Sequence, residues 1–179
     1  MGKQKTRGAS KKAKVAAPAQ PPPPFPEEPF QGVLLQILDV QNPSDPRLLH
    51  REVIGTRGAS SEALTDHLAF TFFAARNLLA LPMTICAGSG GGGTYGNTMT
   101  FSGLMVYDAT VAGGFNLRGR VAHPRGADAS CSSWWTNASS EVKRSVFMDD
   151  HVFSVSESRV KVNRIDNLGV DLATVPFTP

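Results

Sequence analysis

Apolar positions along this chain fall into blocks, and each block has its own period. Gly32-Val33-Leu34-Leu35-Gln36-Ile37-Leu38-Asp39-Val40 is rich in branched residues and closes on Asn42-Pro43-Ser44-Asp45-Pro46. This reads as a strand followed by a turn. A polar stretch then runs through Gly55 and Gly58 to Ser60-Ser61. Beyond it, Leu64, Leu68, Phe72, Ala75 and Leu79 recur at spacings of four and three, with Phe70, Phe73, Ala74 and Leu78 widening the stripe. That period predicts a buried helix over 61–80, capped by Ser60 or Ser61, with Glu62 in its first turn and Pro82 as its stop.

Later blocks have period two. Residues 83–87 read as a short strand, and 98–107 alternate with Met99, Phe101, Met105 and Tyr107 on one face. Gly113-Gly114 turns into a strand over 115–123, ended by Pro124, and 125–145 reads as loop or irregular helix. In the last block Phe153 and Val155 have odd parity while Val160 and Val162 have even parity. The period slips at Glu157-Ser158, which places a turn or bulge there, and 170–175 reads as an edge strand. One major helix and about six strands predict an α+β domain with the helix packed on a mainly antiparallel sheet.

Composition separates the beginning of the chain from the rest. Residues 1–28 hold Lys3, Lys5, Arg7, Lys11, Lys12 and Lys14 against Glu27 and Glu28, so 6 − 2 = +4; the remainder holds 12 basic and 13 acidic residues, so 12 − 13 = −1. The arm is poor in apolar residues and is expected to be disordered, leaving 29–179 as one globular domain. An uneven charge of this kind predicts contact with an anionic membrane lipid or RNA. Lys11-Lys12-Ala13-Lys14 also fits a nuclear import patch. Pro21-Pro22-Pro23-Pro24-Phe25 is a stiff polyproline stretch, either a spacer or a ligand for an aromatic-lined groove on a host protein. Met1-Gly2-Lys3-Gln4-Lys5-Thr6 fits the myristoylation pattern, with Gly2 as the acceptor. Trp134-Trp135 is a candidate interface or membrane patch.

Other motifs subtract functions. The glycine run at 88–93 is followed by Thr94-Tyr95-Gly96, without the lysine and hydroxyl residue a phosphate loop needs, so nucleotide binding is not expected. Cys86 and Cys131 show no metal spacing and no disulfide framework, which predicts a reducing compartment. The sequon Asn137-Ala138-Ser139 then reads as chance, there being no apolar signal stretch before it. The four histidines are scattered, with no local signature of a nucleophile, base and orienting group. No catalytic residue, cofactor or metal is assigned, and the protein is not expected to be an enzyme.

The order of these parts resembles the matrix protein of rhabdoviruses, more closely a plant-infecting member. The quoted likeness is Lys11-Lys12-Ala13-Lys14, then Pro21–24 with Phe25 and Glu27-Glu28, then Leu81-Pro82-Met83-Thr84-Ile85-Cys86-Ala87-Gly88-Ser89 and Leu117-Arg118-Gly119-Arg120-Val121-Ala122-His123-Pro124-Arg125-Gly126. Phe25 and Pro26 stand where the family's budding motif has a tyrosine. The resemblance implies a structural protein that self-assembles into homo-oligomers. It would link an anionic membrane to the viral nucleocapsid during assembly and budding, in the virion and in host cytoplasm, internal membranes or nucleus. The alternative class is a non-enveloped capsid subunit whose basic arm neutralises RNA. A long helix on a twisted sheet would favour matrix, and two four-stranded sheets would favour capsid.

Overall fold

A computed structural model describes residues 32–56, 58–87, 96, 98–124, 131 and 141–177. Those residues form an all-β body of ten strands, so the α+β expectation is overturned. The strands are β1 (Val33–Asp39), β2 (Arg47–Ile54), β3 (Thr71–Phe73), β4 (Leu78–Ala87), β5 (Thr98–Thr110), β6 (Gly114–Ala122), β7 (Val142–Met148), β8 (His151–Ser156), β9 (Arg159–Arg164) and β10 (Asn167–Pro176). They make three antiparallel sheets: the hairpin β1-β2, a four-stranded meander β3-β4-β5-β6, and a second meander β7-β8-β9-β10.

The meander β3–β6 is the middle layer. Leu79, Leu81, Met83, Met105 and Tyr107 pack from one face against Val33, Leu35 and Ile54 of the hairpin. Leu78, Ala80, Leu104, Val106 and Val121 pack from the other face against Val142, Val152, Ile165 and Leu168 around the second meander. Around β4 and the second half of β5 both faces are therefore dry, and close backbone approach is part of the packing. A side chain at Gly103, where φ is +154°, would place its Cβ 2.1 Å from the Val121 carbonyl oxygen, so this contact between β5 and β6 requires glycine.

The expected helix over 61–80 is two different things. Among the described residues, helical turns are limited to three-residue 3-10 segments, Glu62–Leu64, His67–Ala69 and Ala74–Arg76. Ser61 caps the first through Ala63 N (3.2 Å) and Asp66 caps the second through Leu68 N (2.9 Å). A fresh cap every few residues favours local turns over one continuous ladder. Asn77 then turns the chain in the left-handed region at φ 53°. The supposed core stripe faces solvent, with Leu64 64 %, Leu68 59 % and Phe72 48 % exposed. From Leu78 onward the chain is the central strand β4, buried on both faces. Such a strand loses its alternation, so its apolar run extends any neighbouring stripe without carrying a helical period.

Pro82, read as a helix stop, sits inside β4. Pairing with β3 ends at Ala80, and Thr84 exchanges backbone bonds with Ser60 (2.8 and 2.9 Å). Pro82 lies between these two contacts, where its missing N–H is not required. Its carbonyl accepts from Ser61 Oγ at 2.6 Å.

Segment 61–76 straps the free edge of β7. Lys143 Nζ reaches Glu62 at 3.1 Å, Arg144 reaches Asp66 at 2.6 Å, and Arg76 reaches Asp150 at 2.7 Å. Thr71 Oγ1 donates to the Ser145 carbonyl (3.1 Å) and accepts from Ser145 Oγ (3.0 Å). An open strand edge is thereby covered.

Cys86, near the end of β4, is joined to Cys131 by a disulfide with Cα atoms 6.0 Å apart. This corrects the reading of two free thiols.

Candidate interaction surfaces

The site residues expected from the sequence all lie outside the described residues: Gly2, Lys3, Lys5, Arg7, Lys11, Lys12, Lys14, Pro21, Pro22, Pro23, Pro24, Phe25, Trp134 and Trp135. Within the described body, three features carry the chemistry.

The first is a buried polar cluster between the two meanders. His123, just beyond β6, is wholly buried and its Nε2 lies 2.7 Å from Ser154 Oγ on β8. Burial pushes the His123 imidazole down to about 4, with Lys161 and Arg159 adding to the effect. A hydroxyl beside an imidazole is the contact a nucleophile and base would make. Here neither group reaches solvent, and His123 Nδ1 has no partner to orient it. The pair is a packed core element. Beside it, Lys161 Nζ donates to the Ala122 carbonyl (2.8 Å) and pairs with Asp171 (2.6 Å). Asn163 Nδ2 donates to the carbonyls of Leu168 (3.0 Å) and Val170 (2.9 Å) and to Asp171 Oδ1 (2.9 Å). Burial raises the Asp171 carboxyl, and the bonds from Lys161 and Asn163 more than reverse this, leaving it below the usual carboxylate range.

The second is the outer face of β7–β10. Val152, Ser154 and Ser156 of β8 and Asn163 of β9 are buried toward the middle sheet. Side chains alternate along a strand, so Phe153, Val155, Val160 and Val162 point outward. The register aligns them in two rows across all four strands. One row runs Val146–Phe153–Val162–Ala173, and the other runs Arg144–Val155–Val160–Val175. At its margins Val146 is 47 % and Val175 54 % exposed. An antiparallel sheet with one solvated face normally turns its apolar positions inward and its polar ones out. This sheet buries Ser145, Ser154, Ser156 and Asn163 beside Val142 and Val152, and carries further valines on its outward face. The parity of 153, 155, 160 and 162 was legible in the sequence; which side was the core was not.

The third is an apolar groove of about 340 Å³ beside β1. Leu35 and Leu79 lie at its buried floor, while Phe70, Phe72 and Val111 stand exposed along it, with Phe115 beyond. On this side β1 has no strand partner among the described residues.

Among the described residues no group of three or more His, Cys, Asp or Glu could hold a metal ion. No described helix is long and apolar enough to cross a membrane.

One family model, described as a beta propeller domain, matches residues 2–168. No curated protein and no solved structure matches the chain. The match and the nearly helix-free body overturn the resemblance to rhabdovirus matrix proteins, which rested on a long helix packed on a sheet. Two four-stranded sheets meet the strand count set for a capsid jelly roll. Their strands follow one another consecutively, however, whereas a jelly roll is built of two Greek keys.

Proposed function

This chain belongs to the beta propeller domain family, and from that premise we propose that it is a non-catalytic assembly module. It associates with copies of itself through the outer face of β7–β10 and presents its basic arm to a phosphate-bearing polyanion. The observation that carries this reading is the outward apolar face. Propellers arrange four-stranded sheets around a channel, typically four to eight of them. A sheet in that arrangement has neighbours on both faces and is apolar on both. The described chain holds two four-stranded meanders. The β3–β6 meander packs another layer against each face of its central strands, and the β7–β10 meander carries an apolar outer face that no other described strand covers. A second copy of the chain is that neighbour.

Four strands about 4.8 Å apart and some six residues long present roughly 300–400 Å² of flat sheet. A standard stable interface takes about 800 Å² from each partner. Each contact is therefore weak and reversible. Weak contacts suit an array in which the arms, each with net charge +4 over residues 1–28, act together by multivalency. One basic residue near an anionic surface contributes on the order of 1 kcal/mol.

The test compares three full-length proteins: the parent, an arm variant with Lys3, Lys5, Arg7, Lys11, Lys12 and Lys14 changed to Ala, and Val162→Asp. Sedimentation should show concentration-dependent association of the parent and arm variant, and a monomer for Val162→Asp. Binding to single-stranded RNA should weaken with salt, vanish in the arm variant and fall at least tenfold in the monomer. A parent that stays monomeric at every concentration, or an arm variant that binds as the parent does, would overturn the reading. Vesicles containing phosphatidylserine, run in parallel, identify lipid as the polyanion if they alone bind.

A further inference from the structure

The groove beside β1 has a candidate occupant in the same chain. Gly32 opens the described body at φ +114°, and a Cβ there would stand 2.5 Å from the Ile54 carbonyl oxygen and 2.6 Å from that of Gly55. The backbone is thus held tightly at this point, and β1 starts one residue later with Leu34 and Ile37 along the groove. The segment just before it reads Pro21-Pro22-Pro23-Pro24-Phe25-Pro26-Glu27-Glu28-Pro29-Phe30.

We propose that this proline-rich segment folds back along the unpaired edge of β1 and seats Phe25 in the groove among Ile37, Phe70, Phe72 and Val111. Three properties fit. First, reach: from Gly32 to Ile37 is five residues, or about 17 Å of strand. From Gln31 back to Phe25 is six residues, or about 19 Å of polyproline II helix, which matches. Second, chemistry: polyproline segments dock on aromatic-lined grooves without needing backbone donors, which prolines lack. Phe70, Phe72 and Phe115 supply the rings. With three residues per turn, Pro22 and Phe25 share one edge of the helix, so both can face the groove. Third, entropy: a stiff segment joined to the groove by a short turn pays little for closure and acts at high local concentration. Docking would cover the exposed Phe70 and Phe72. It would also give the arm a fixed root, so the basic residues before Pro21 leave the body from one place.

The experiment uses the full chain with methyl-labelled Ile, Leu and Val. Nuclear Overhauser contacts should join the Phe25 ring to the methyls of Ile37 and Val111. Phe25→Ser should shift those methyl resonances, and Phe72→Ser, a change at an exposed ring, should remove the contacts while leaving the fold intact. A synthetic peptide of residues 20–30 should bind the Phe25→Ser chain at least tenfold more tightly than the parent, whose own segment competes. Unchanged groove methyls in Phe25→Ser would overturn the proposal. So would contacts that isotope-filtered mixtures assign to a second copy, or an apolar molecule that co-purifies in the groove.

Discussion

The β3–β6 and β7–β10 sheets have the same number of strands and the same consecutive order, yet they treat their faces in opposite ways. The first is apolar on both faces of its central strands, and each face packs against another layer of its own chain. The second spends its buried face partly on Ser145, Ser154, Ser156, Asn163 and Lys161, and turns Phe153, Val155, Val160 and Val162 outward. Strand order is therefore not what distinguishes the two sheets. The distinction lies in how much of the buried face is polar and how apolar the opposite face is. Val142, Val152, Ile165 and Leu168 still pack toward the middle sheet, beside a hydrogen-bonded cluster that includes Ser154, His123 and Asn163, and the outward apolar rows are the face that the proposed association would use.

The comparison can be broken most sharply with charge. Leu81→Asp or Val106→Asp in the middle sheet buries an unpaired carboxylate and should abolish cooperative thermal unfolding, a loss above about 4 kcal/mol. Val162→Asp should leave a cooperative transition close to the parent's while abolishing self-association. Leu68→Asp and Phe72→Asp, on the strap that the sequence assigns to the core, should also fold. An unfolded Phe72→Asp chain would show that this surface is covered after all.

Next comes the bond that anchors the end of β4. Closing 45 residues should stabilise by about 4 kcal/mol on the chain-entropy account. Cys131→Ser, or reduction, should lower the urea midpoint accordingly. No change in midpoint would mean that the covalent link adds nothing to packing of the middle sheet.

The polar core between the sheets makes the third prediction. The imidazole of His123 lies near 4 in the fold against an ordinary 6.5, so the unfolded chain takes up its proton first. Stability should be full above about pH 6.5 and fall as the pH drops toward 4, by about 3 kcal/mol. Asp171, held low by Lys161 and Asn163, adds a further loss below its ordinary 3.8. Urea titrations at pH 7 and pH 4.5 measure the slope, and His123→Gln should flatten its upper part.

The smallest effect belongs to the strap. A double-mutant cycle on Lys143 and Glu62, a pair mostly withdrawn from solvent, should return a coupling of about 1 kcal/mol. A value near zero would leave Arg144–Asp66 and the Thr71–Ser145 bonds as the contacts that hold segment 61–76 on β7.

Strands with one wet face or clear turns were legible in the sequence. Β1, β5, β6, β8 and β9 follow from branched residues, alternation and glycine or serine punctuation. Of Met99, Phe101, Met105 and Tyr107, the last three share the expected face: Met105 and Tyr107 lie in the core against the hairpin and Phe101 packs beside them. Β2 was missed because Arg47, His50, Arg51 and Glu52 mask an alternation that becomes visible only once Leu48 and Ile54 have a layer to face. Β4 was missed in part because a strand dry on both sides has no period to detect. The groove was not legible at all, since Ile37, Phe72 and Phe115 meet only through tertiary packing.

The disulfide between Cys86 and Cys131 has a topological consequence. All of β5 and β6 lies between its two ends. A protease that cuts the backbone once anywhere from residue 87 to residue 130 makes two fragments, each carrying one half of the bond. The fragments remain one covalent molecule. Such a nicked protein would migrate as a single species on a denaturing gel without reductant and as two with it.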